Sequence, residues 1–428
     1  MAKGIKNISP WAWVPTLYFA EGIPYVLVNE VSKMMFTDMG VPEDQLTFFT
    51  TLLIFPWFLK GLWSPFVEIF RSKRWWIIGM QATLSVLCIC LTIFMPHPSA
   101  QMIAEKGTSA GLFTWTLIFF IIAAFASATH DIAADGYYML ALDKKNQARF
   151  VGIRSTFYRI ASVFAQGVLV YMAGRIERNT GDVPMAWQIT LGTTSALMLL
   201  LTLYHSFFIP RVDADRSHES KDYRQAMKEL KESFVTFFTK PGVFVAIAFL
   251  LLYRLSEGFI GSLSKTFLKR GLGLETDTIG LLYGTIGVVA LLAGGIIGGI
   301  HISRKGLKRS IWLMAAALTL PSFVYCYLSM AQPDSNWIIG TTIAFEQFGY
   351  GFGFTAYMMY MMQFADGKYK TAHYAICTAF MALSWMLPGF VAGSLQMAVG
   401  YTSFFWIANA FSVTTFIVTY FVYKRLKE

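Results

Sequence analysis

The sequence predicts an all-α polytopic membrane protein with twelve transmembrane helices in two pseudo-symmetric six-helix bundles. Three observations carry this prediction: little charge, a regular series of long apolar stretches, and a repeat that relates the two halves. Of the 428 residues, 14% are charged and 55% are hydrophobic. A water-soluble domain carries about 25% charged residues, so a cytosolic enzyme, a disordered chain and a disulfide-rich secreted scaffold all fit poorly.

Twelve stretches are long and apolar enough to cross a bilayer, which requires about 20 residues. The connection between segments 6 and 7 is long and polar, and its second half has the amphipathic spacing of a helix on a membrane face. The predicted domains are an N-terminal bundle at 1–209, a linker at 210–241 and a C-terminal bundle at 242–428. In chain order, predicted segments 1 to 12 are Trp11–Met34, Leu46–Phe66, Trp75–Met95, Leu112–Asp135, Val151–Gly174, Trp187–Phe208, Val243–Ser264, Ile279–His301, Ser310–Met330, Trp337–Met361, Ala372–Met397 and Ser403–Tyr423.

Lysine and arginine residues concentrate in the connections on one side of the predicted membrane. If both termini and the even-to-odd loops are cytoplasmic, those segments hold 24 basic residues and the outer loops hold about six. This bias predicts both termini in the cytoplasm. The same basic residues are scattered over seven segments without forming a patch, which argues against nucleic acid as a partner despite the net charge of +10.

The two halves resemble each other at an offset of about 235 residues. Glu21-Gly22 in segment 1 corresponds to Glu257-Gly258 in segment 7, and a basic run follows both segment 2 and segment 8. Duplicated bundles of this kind bind a substrate between the halves, near the middle of the membrane. The glycine-rich runs of segments 8 and 10 follow no strand, so they predict close helix packing and not nucleotide binding.

Ionisable residues inside spanning segments are functional candidates, because their burial in the bilayer is costly. Asp131 and Asp135 share one face of segment 4, where burial and mutual repulsion favour proton binding. The alternatives are that Asp131 pairs structurally with an arginine and that Asp135 lies at the membrane edge. In segment 5, Arg159 and Gln166 share a stripe. Arg159 could hold a substrate anion or neutralise Asp131, whereas His130 is predicted to be structural.

Segments 1, 7 and 10 supply further polar side chains. Arg254, Glu257 and Lys265 share a face of segment 7, although Arg254 and Glu257 could pair within the helix and Lys265 is expected to extend outward. In segment 1, Pro24 is expected to interrupt the helix and direct free backbone groups at a ligand. We predict Asp131, Asp135 and Glu21 as proton carriers. The predicted substrate contacts are Arg159, Arg254, Glu257, Tyr25, Asn29, Gln166, Glu346, Gln347 and Lys265.

We predict that the protein is not an enzyme, because several common catalytic motifs are absent from the sequence. The patterns HExxH, GxxxxGK[ST] and CxxC do not occur. Adjacent residues such as His130 and Asp131 point in different directions on a helix, so a metal or nucleophile site is not expected. We predict no metal and no cofactor; the expected partners are a small-molecule substrate, protons and the lipid bilayer, with the protein acting as a monomer.

Several segments resemble the AmpG-type permeases, a branch of the major facilitator superfamily that also includes acetyl-CoA transporters. The similar motifs are FAEGIPYVL, KGLWSP, FASATHDIAADGYYMLAL, FYRI, LLYRLSEGFIGSLSKTFLKRGLGL, FEQFGYGFGFTAYM and PGFVAG. The resemblance implies the major facilitator fold and proton-driven import across the bacterial inner membrane. It implies as cargo N-acetylglucosaminyl-anhydro-N-acetylmuramic acid, with or without peptide.

The resemblance also assigns residues, and the sequence departs from the family in places. The family's helix 4 carboxylates correspond to Asp131 and Asp135, its helix 5 arginine to Arg159, and its helix 7 basic and acidic pair to Arg254 and Glu257. The departures are His130 in place of glutamine, Tyr137-Tyr138 in place of an aromatic–lysine pair, and an additional acid at Glu21. Transport of a simple muramic acid sugar, transport of acetyl-CoA and export of small amphiphiles remain alternative functions.

Overall fold

The computed structural model describes residues 8–105, 108–212 and 223–426, and these residues are almost entirely helical. A bilayer offers no water to backbone groups, so a spanning chain pairs each N–H with a carbonyl of its own helix. Among the described residues, eight helical stretches are long and apolar enough to cross a membrane. These eight stretches account for ten of the twelve predicted segments, because two of the stretches each contain two segments.

The double stretches turn back at glycine residues. Thr276–Ala331 contains Gly306, and Ala372–Tyr423 contains Gly400; both glycines have a φ of 76° with an extended ψ. A residue with a Cβ rarely adopts this conformation, so glycine permits the reversal between two helices. Segment 1, rich in charge, and segment 10, at Asn336–Ala365, complete the set. The predicted twelve-segment fold is therefore confirmed in the described residues.

The helices lie close to their predicted places. In the N-terminal bundle they are Val14–Val26, Ser32–Asp38, Glu43–Leu52, Phe55–Ile69, Lys73–Ile93, Ala100–Ala104, Thr114–Ala141, Lys144–Val163, Val170–Thr180 and Val183–Phe208. The linker contains Tyr223–Phe238; residues 213–222 of the predicted linker lie outside the described residues. The helices of the C-terminal bundle are Val243–Leu252, Leu255–Thr266, Thr276–Ile279, Val288–Thr319, Val324–Ala331, Asn336–Ala365, Lys370–Ala410 and Ser412–Tyr423.

Segment 1 is not interrupted at Pro24, so that expectation is wrong. Helix Val14–Val26 runs through the proline, and a wide π-helical turn at Leu27–Val31 follows it. Proline lacks the N–H that the helix would use, and a wide turn accommodates the missing hydrogen bond. The break occurs instead in segment 7, where one helix ends at Leu252 and the next begins at Leu255.

The repeated glycines hold equivalent helices together in the two bundles. A Cβ at Gly22 would lie 2.7 Å from the Ala161 Cβ of segment 5, and one at Gly258 would lie 2.5 Å from the Pro388 Cγ of segment 11. Both glycines thus allow a close approach that a side chain would prevent. The Glu-Gly repeat in the sequence therefore corresponds to a repeated helix contact.

The bundles share a core at only one end, among the described residues. We call the end that carries residues 8 and 426 the terminal face, and the opposite end the distal face. Near the terminal face, one apolar cluster belongs to the N-terminal bundle and a separate one to the linker helix and C-terminal bundle. The largest cluster joins both bundles toward the distal face and includes Met34, Trp187, Leu268 and Tyr325. The apolar core that the bundles share therefore lies toward the distal face. Nearer the terminal face the Lys60 and Asp131 side chains stay 34% and 19% exposed, and we call this accessible region between the bundles the central gap.

Ion pairs close the distal face between the bundles. Arg178 Nη2 lies 2.7 Å from Asp277 Oδ1, and Arg270 Nη1 lies 3.1 Å from Glu43 Oε1. Lys269 Nζ lies 3.5 Å from Oδ1 of the fully buried Asp38 carboxylate. Each pair joins an N-terminal residue to a C-terminal one, so separation of the bundles at this face requires all three pairs to break.

Candidate functional site

Three charged side chains of segments 1, 2 and 4 meet in the N-terminal bundle. Glu21 is 5% exposed, and its carboxyl group lies within electrostatic range of Asp131. The Lys60 ammonium donates to Oδ2 of Asp131 and forms an ion pair with it. Oε2 of Glu21 has no hydrogen-bond partner in the described part of the chain. A bound proton reduces the repulsion between two neighbouring buried carboxyl groups, so this arrangement is suited to proton binding.

A second ion pair lies beside the first. Arg154 Nη2 lies 2.7 Å from Oδ1 of Asp135, and the Tyr18 hydroxyl donates to the same oxygen at 3.0 Å. The Arg154 guanidinium also lies over the rings of Tyr18 and Tyr138, at 4.5 and 5.2 Å from their centroids. Asp135 therefore has a cation and a hydroxyl donor, and its position is determined by segments 1 and 5.

Asp131 pairs with a lysine, so the alternatives that gave it an arginine partner are wrong. Lys60 occupies the position, because segment 2 brings it alongside segment 4. Arg159 instead extends toward the other bundle, where a Cβ at Gly295 would lie 3.9 Å from its Nη1. Arg159 forms no ion pair within 4 Å among the described residues, so its charge is available in the central gap.

His130 lies in a chain of hydrogen bonds that joins four segments of the N-terminal bundle. Its Nε2 lies 2.9 Å from Nε2 of Gln81, and Oε1 of Gln81 lies 2.8 Å from Nδ1 of His205. Nε2 of His205 lies 3.0 Å from the Thr16 hydroxyl. These buried contacts agree with the structural role expected for His130.

The C-terminal bundle places Arg254 at the break in segment 7. Its Nη2 donates to the Tyr350 hydroxyl. No ion pair with Glu257 forms within 4 Å among the described residues, because the break directs Arg254 toward segment 10. Its guanidinium carbon lies 4.6 to 5.8 Å from the centroids of four aromatic rings: Tyr350, Phe354, Tyr357 and Trp385.

Two further acids of this bundle are buried without a cation at ion-pair distance in the described residues. Glu257 is 4% exposed, and its Oε1 has no hydrogen-bond partner there. Glu346 is 3% exposed and accepts a 2.8 Å hydrogen bond from Gln347 Nε2, which also lies 3.2 Å from the Tyr283 hydroxyl. Glu346 and Gln347 therefore engage each other, whereas Glu257 keeps an acceptor free.

Lys265 bridges the bundles, and its expected outward orientation is wrong. Its Nζ donates to Oε2 of Glu30 at 2.6 Å and to Oε1 of Gln166 at 2.8 Å. The residue is 9% exposed because segments 1 and 5 cover it. Two predicted substrate contacts, Lys265 and Gln166, thus hold each other at the distal end of the gap.

Tyr25 and Asn29 lie on segment 1 between these groups. The Tyr25 ring is 36% exposed and contacts the Trp57 ring edge-on at 5.0 Å. Asn29 Nδ2 donates to the Tyr25 carbonyl at 2.9 Å, while its buried Oδ1 has no partner among the described residues. Tyr25 also lies within electrostatic range of Arg254, so it faces the other bundle.

Sequence reasoning left Lys60 and Glu30 out of the candidate site. Both are charged residues inside predicted spanning segments, so the criterion that selected Asp131 could have selected them. No sequence signal identified Lys60 as the partner of Asp131, because the pairing depends on how segments 2 and 4 pack. The structure thus adds Lys60 as the partner of Asp131 and Glu30 as the partner of Lys265.

Comparison with known proteins shows similarity over nearly the whole chain. The family model described as Major Facilitator Superfamily matches residues 17–387. The anhydromuropeptide permease of Escherichia coli (strain K12) is 24% identical over 411 residues, covering 94% of this chain and 77% of the permease. An uncharacterized protein of Haemophilus influenzae is 24% identical over 427 residues, covering 96% of this chain and 93% of that protein.

The fold is also similar to solved structures. The crystal structure of a D-xylose-proton symporter superimposes with a TM-score of 0.71 at 14% sequence identity, covering 95% of this chain and 96% of that one. Similarity at this level of identity supports the overall fold.

Proposed function

The chain belongs to the major facilitator superfamily, and from this premise we propose that it is a proton-coupled importer of amino sugars derived from peptidoglycan. It is a secondary transporter of the membrane, with a small molecule as its substrate. The proposed cargo is N-acetylglucosaminyl-anhydro-N-acetylmuramic acid, with or without peptide. Similarity to the anhydromuropeptide permease supports this choice.

The buried Glu21 carboxyl next to the Lys60–Asp131 ion pair is the observation that carries the proposed proton coupling. Together with Asp135 and Arg154, the cluster holds three carboxyl groups against two cations. One bound proton balances this charge, and its loss leaves one negative charge in excess. Buried charge of this kind is costly in a membrane, so we propose that the protonation state biases the transporter between its conformations.

The distal ion pairs support transport by alternating access. Ion pairs and the shared apolar core join the bundles at the distal face, whereas the central gap stays accessible. We propose that the terminal face lies in the cytoplasm, as the distribution of basic residues predicts, and that the protein acts as a monomer in the bacterial inner membrane. The arrangement described here then corresponds to the stage at which cargo leaves for the cytoplasm.

The charges and rings that face the gap support a polar, anionic cargo. Arg159 has no ion-pair partner among the described residues, and Arg254 is held by aromatic rings and a hydroxyl. Neither cation is neutralised by a carboxylate, so each is free to attract one from the cargo. The exposed ring of Tyr25 offers an apolar surface to a sugar.

Uptake into proteoliposomes tests the proposal. The purified protein is reconstituted, a pH gradient is imposed with the acidic side outside, and accumulation of radiolabelled anhydromuropeptide is measured. We expect accumulation above the external concentration, and its collapse when a protonophore dissipates the gradient. Uptake that is insensitive to the gradient would exclude proton coupling, and failure to transport any muropeptide would exclude the proposed cargo.

A further inference from the structure

Lys33 is a buried cation that the proposed mechanism does not use. It lies in segment 1, directly after the π-helical turn, and is 6% exposed. Its ammonium forms no hydrogen bond and no ion pair within 4 Å in the described part of the chain. The described contact of its Nζ is with the ring of Trp385, whose centroid lies 5.8 Å away. A buried ammonium without a counter-charge is costly, and such residues in membranes commonly have a function.

The same ring contacts Arg254. The guanidinium carbon of Arg254 lies 5.2 Å from the Trp385 centroid, and its buried Nε has no hydrogen-bond partner among the described residues. One indole therefore contacts two cations, Lys33 from the N-terminal bundle and Arg254 from the C-terminal bundle. Cation–π contact attracts each of them, but it does not remove the repulsion between them. An anion between the two cations would remove it.

The carboxylates nearby are not placed to supply this anion. Glu30 interacts electrostatically with Lys33, but its Oε2 binds Lys265 at 2.6 Å. Glu257 is three residues from Arg254 and forms no ion pair with it. The anion-binding capacity of Lys33 and Arg254 thus remains available to a ligand.

Trp385 is positioned by the backbone of segment 7. A Cβ at Gly261 would clash with the six-membered part of the indole ring, so the absence of a side chain lets this part of the ring approach that helix closely. The ring is half-buried and lies beside both cations. It therefore provides an apolar surface next to the site of charge.

We propose that Lys33, Arg254 and Trp385 form an anion subsite for the carboxylate of a sugar acid. The two cations bind the carboxylate, and the indole packs against the apolar face of the adjoining ring or chain. This assignment rests on the proposed function, since it deepens the choice of cargo. Because Lys33 and Arg254 belong to different bundles, a bound carboxylate joins the bundles across the gap.

Binding measurements with two matched sugars test the subsite. N-Acetylmuramic acid carries a lactyl carboxylate that N-acetylglucosamine lacks. Affinities are measured by isothermal titration calorimetry on detergent-solubilised protein, where no proton gradient exists. We expect wild-type protein to prefer the acid by about tenfold or more, since a charge-assisted interaction is about twice as strong as a neutral one.

Variants of Lys33 distinguish the subsite from a general electrostatic effect. Lys33→Gln is expected to weaken binding of N-acetylmuramic acid by about tenfold and leave N-acetylglucosamine unchanged, whereas Lys33→Arg retains the preference. Lys424→Gln is the matched control. It removes an exposed lysine that also lies over a ring, that of Tyr420 at 4.4 Å, and it should behave as wild type. Thermal unfolding of each variant verifies that it is folded.

Each result supports or overturns the subsite separately from the proposed function. Wild-type protein without a preference for the acid overturns the subsite, and so does a full preference in Lys33→Gln. If muropeptide uptake fails while the Lys33-dependent preference persists, the proposed function fails and the subsite stands. If gradient-driven uptake succeeds and Lys33→Gln binds N-acetylmuramic acid as wild type does, the subsite is overturned and the proposed function stands.

Discussion

Glu21 and Glu257 occupy corresponding positions in the two bundles but have different neighbours. Each is about 95% buried and is followed by a glycine that packs on the equivalent helix of its own bundle. Glu21 lies within electrostatic range of Asp131, which Lys60 holds in an ion pair. Glu257 has no such partner among the described residues, although Arg254 is only three residues away. The duplication preserved the backbone contact while the side-chain surroundings diverged.

The different surroundings of the two glutamates indicate that the two bundles have different roles. In the N-terminal bundle, cations form ion pairs with carboxylates of the chain itself: Lys60 with Asp131, and Arg154 with Asp135. In the C-terminal bundle, Arg254 is held by rings and a hydroxyl, which leaves its charge uncompensated. A cluster whose charge balances only when it binds a proton suits proton exchange, whereas an uncompensated cation suits an anionic ligand.

Asp131→Asn should produce the largest effect. The amide cannot carry a proton between the two states of the cycle, so gradient-driven accumulation should disappear. A gradient of one pH unit represents about 1.4 kcal/mol per proton, or about tenfold accumulation, and this factor should be lost. Radiolabelled uptake into proteoliposomes measures it. Asp334→Asn, an exposed acid near the distal face, is the control; accumulation by Asp131→Asn equal to that control would contradict the assignment.

Glu21→Gln and Glu257→Gln should have different effects, although they change the same residue type at equivalent positions. Glu21→Gln should abolish the dependence of uptake on the pH gradient while ligand affinity stays near that of wild type. Glu257→Gln should leave the dependence intact and weaken affinity by about fivefold to tenfold, since a net hydrogen bond contributes about 1 kcal/mol. Calorimetry and uptake on the same preparations measure both quantities. Equal behaviour of the two variants would remove the contrast between the bundles.

Gly22→Ala and Gly258→Ala should, in contrast, have similar effects. A Cβ would lie 2.7 Å from Ala161 Cβ in the first case and 2.5 Å from Pro388 Cγ in the second. Overpacking of this kind costs about 1 to 3 kcal/mol, so both variants should unfold at lower temperature in detergent. Gly299→Ala, where no atom lies within 4 Å of the added methyl group, should match wild type. Destabilisation by only one of the first two variants would show that the repeated contact is not equivalent.

The sequence predicted this shared backbone contact better than the divergent surroundings. Local hydropathy predicts the twelve segments, and the Glu-Gly repeat is apparent in the sequence itself. Both features depend on residues that are near one another in the chain. The partner of Asp131 could not be predicted, since Lys60 meets it only when segments 2 and 4 pack. Likewise, the break at Arg254 comes with no proline, while Pro24, the residue expected to break a helix, does not do so.

Removal of one tyrosine hydroxyl from each bundle should give the smallest effects, and it tests the same contrast between the bundles. The Tyr18 hydroxyl donates to Asp135 at 3.0 Å in the N-terminal bundle, and the Tyr350 hydroxyl accepts from Arg254 in the C-terminal bundle. Phenylalanine at either position keeps the ring and removes one hydrogen bond, so each change should amount to about 0.5 to 1.5 kcal/mol. Tyr18→Phe should shift the pH dependence of uptake without changing ligand affinity. Tyr350→Phe should lower affinity about threefold to tenfold at unchanged pH dependence, because the hydroxyl orients a ligand-binding cation and contacts no proton-carrying group.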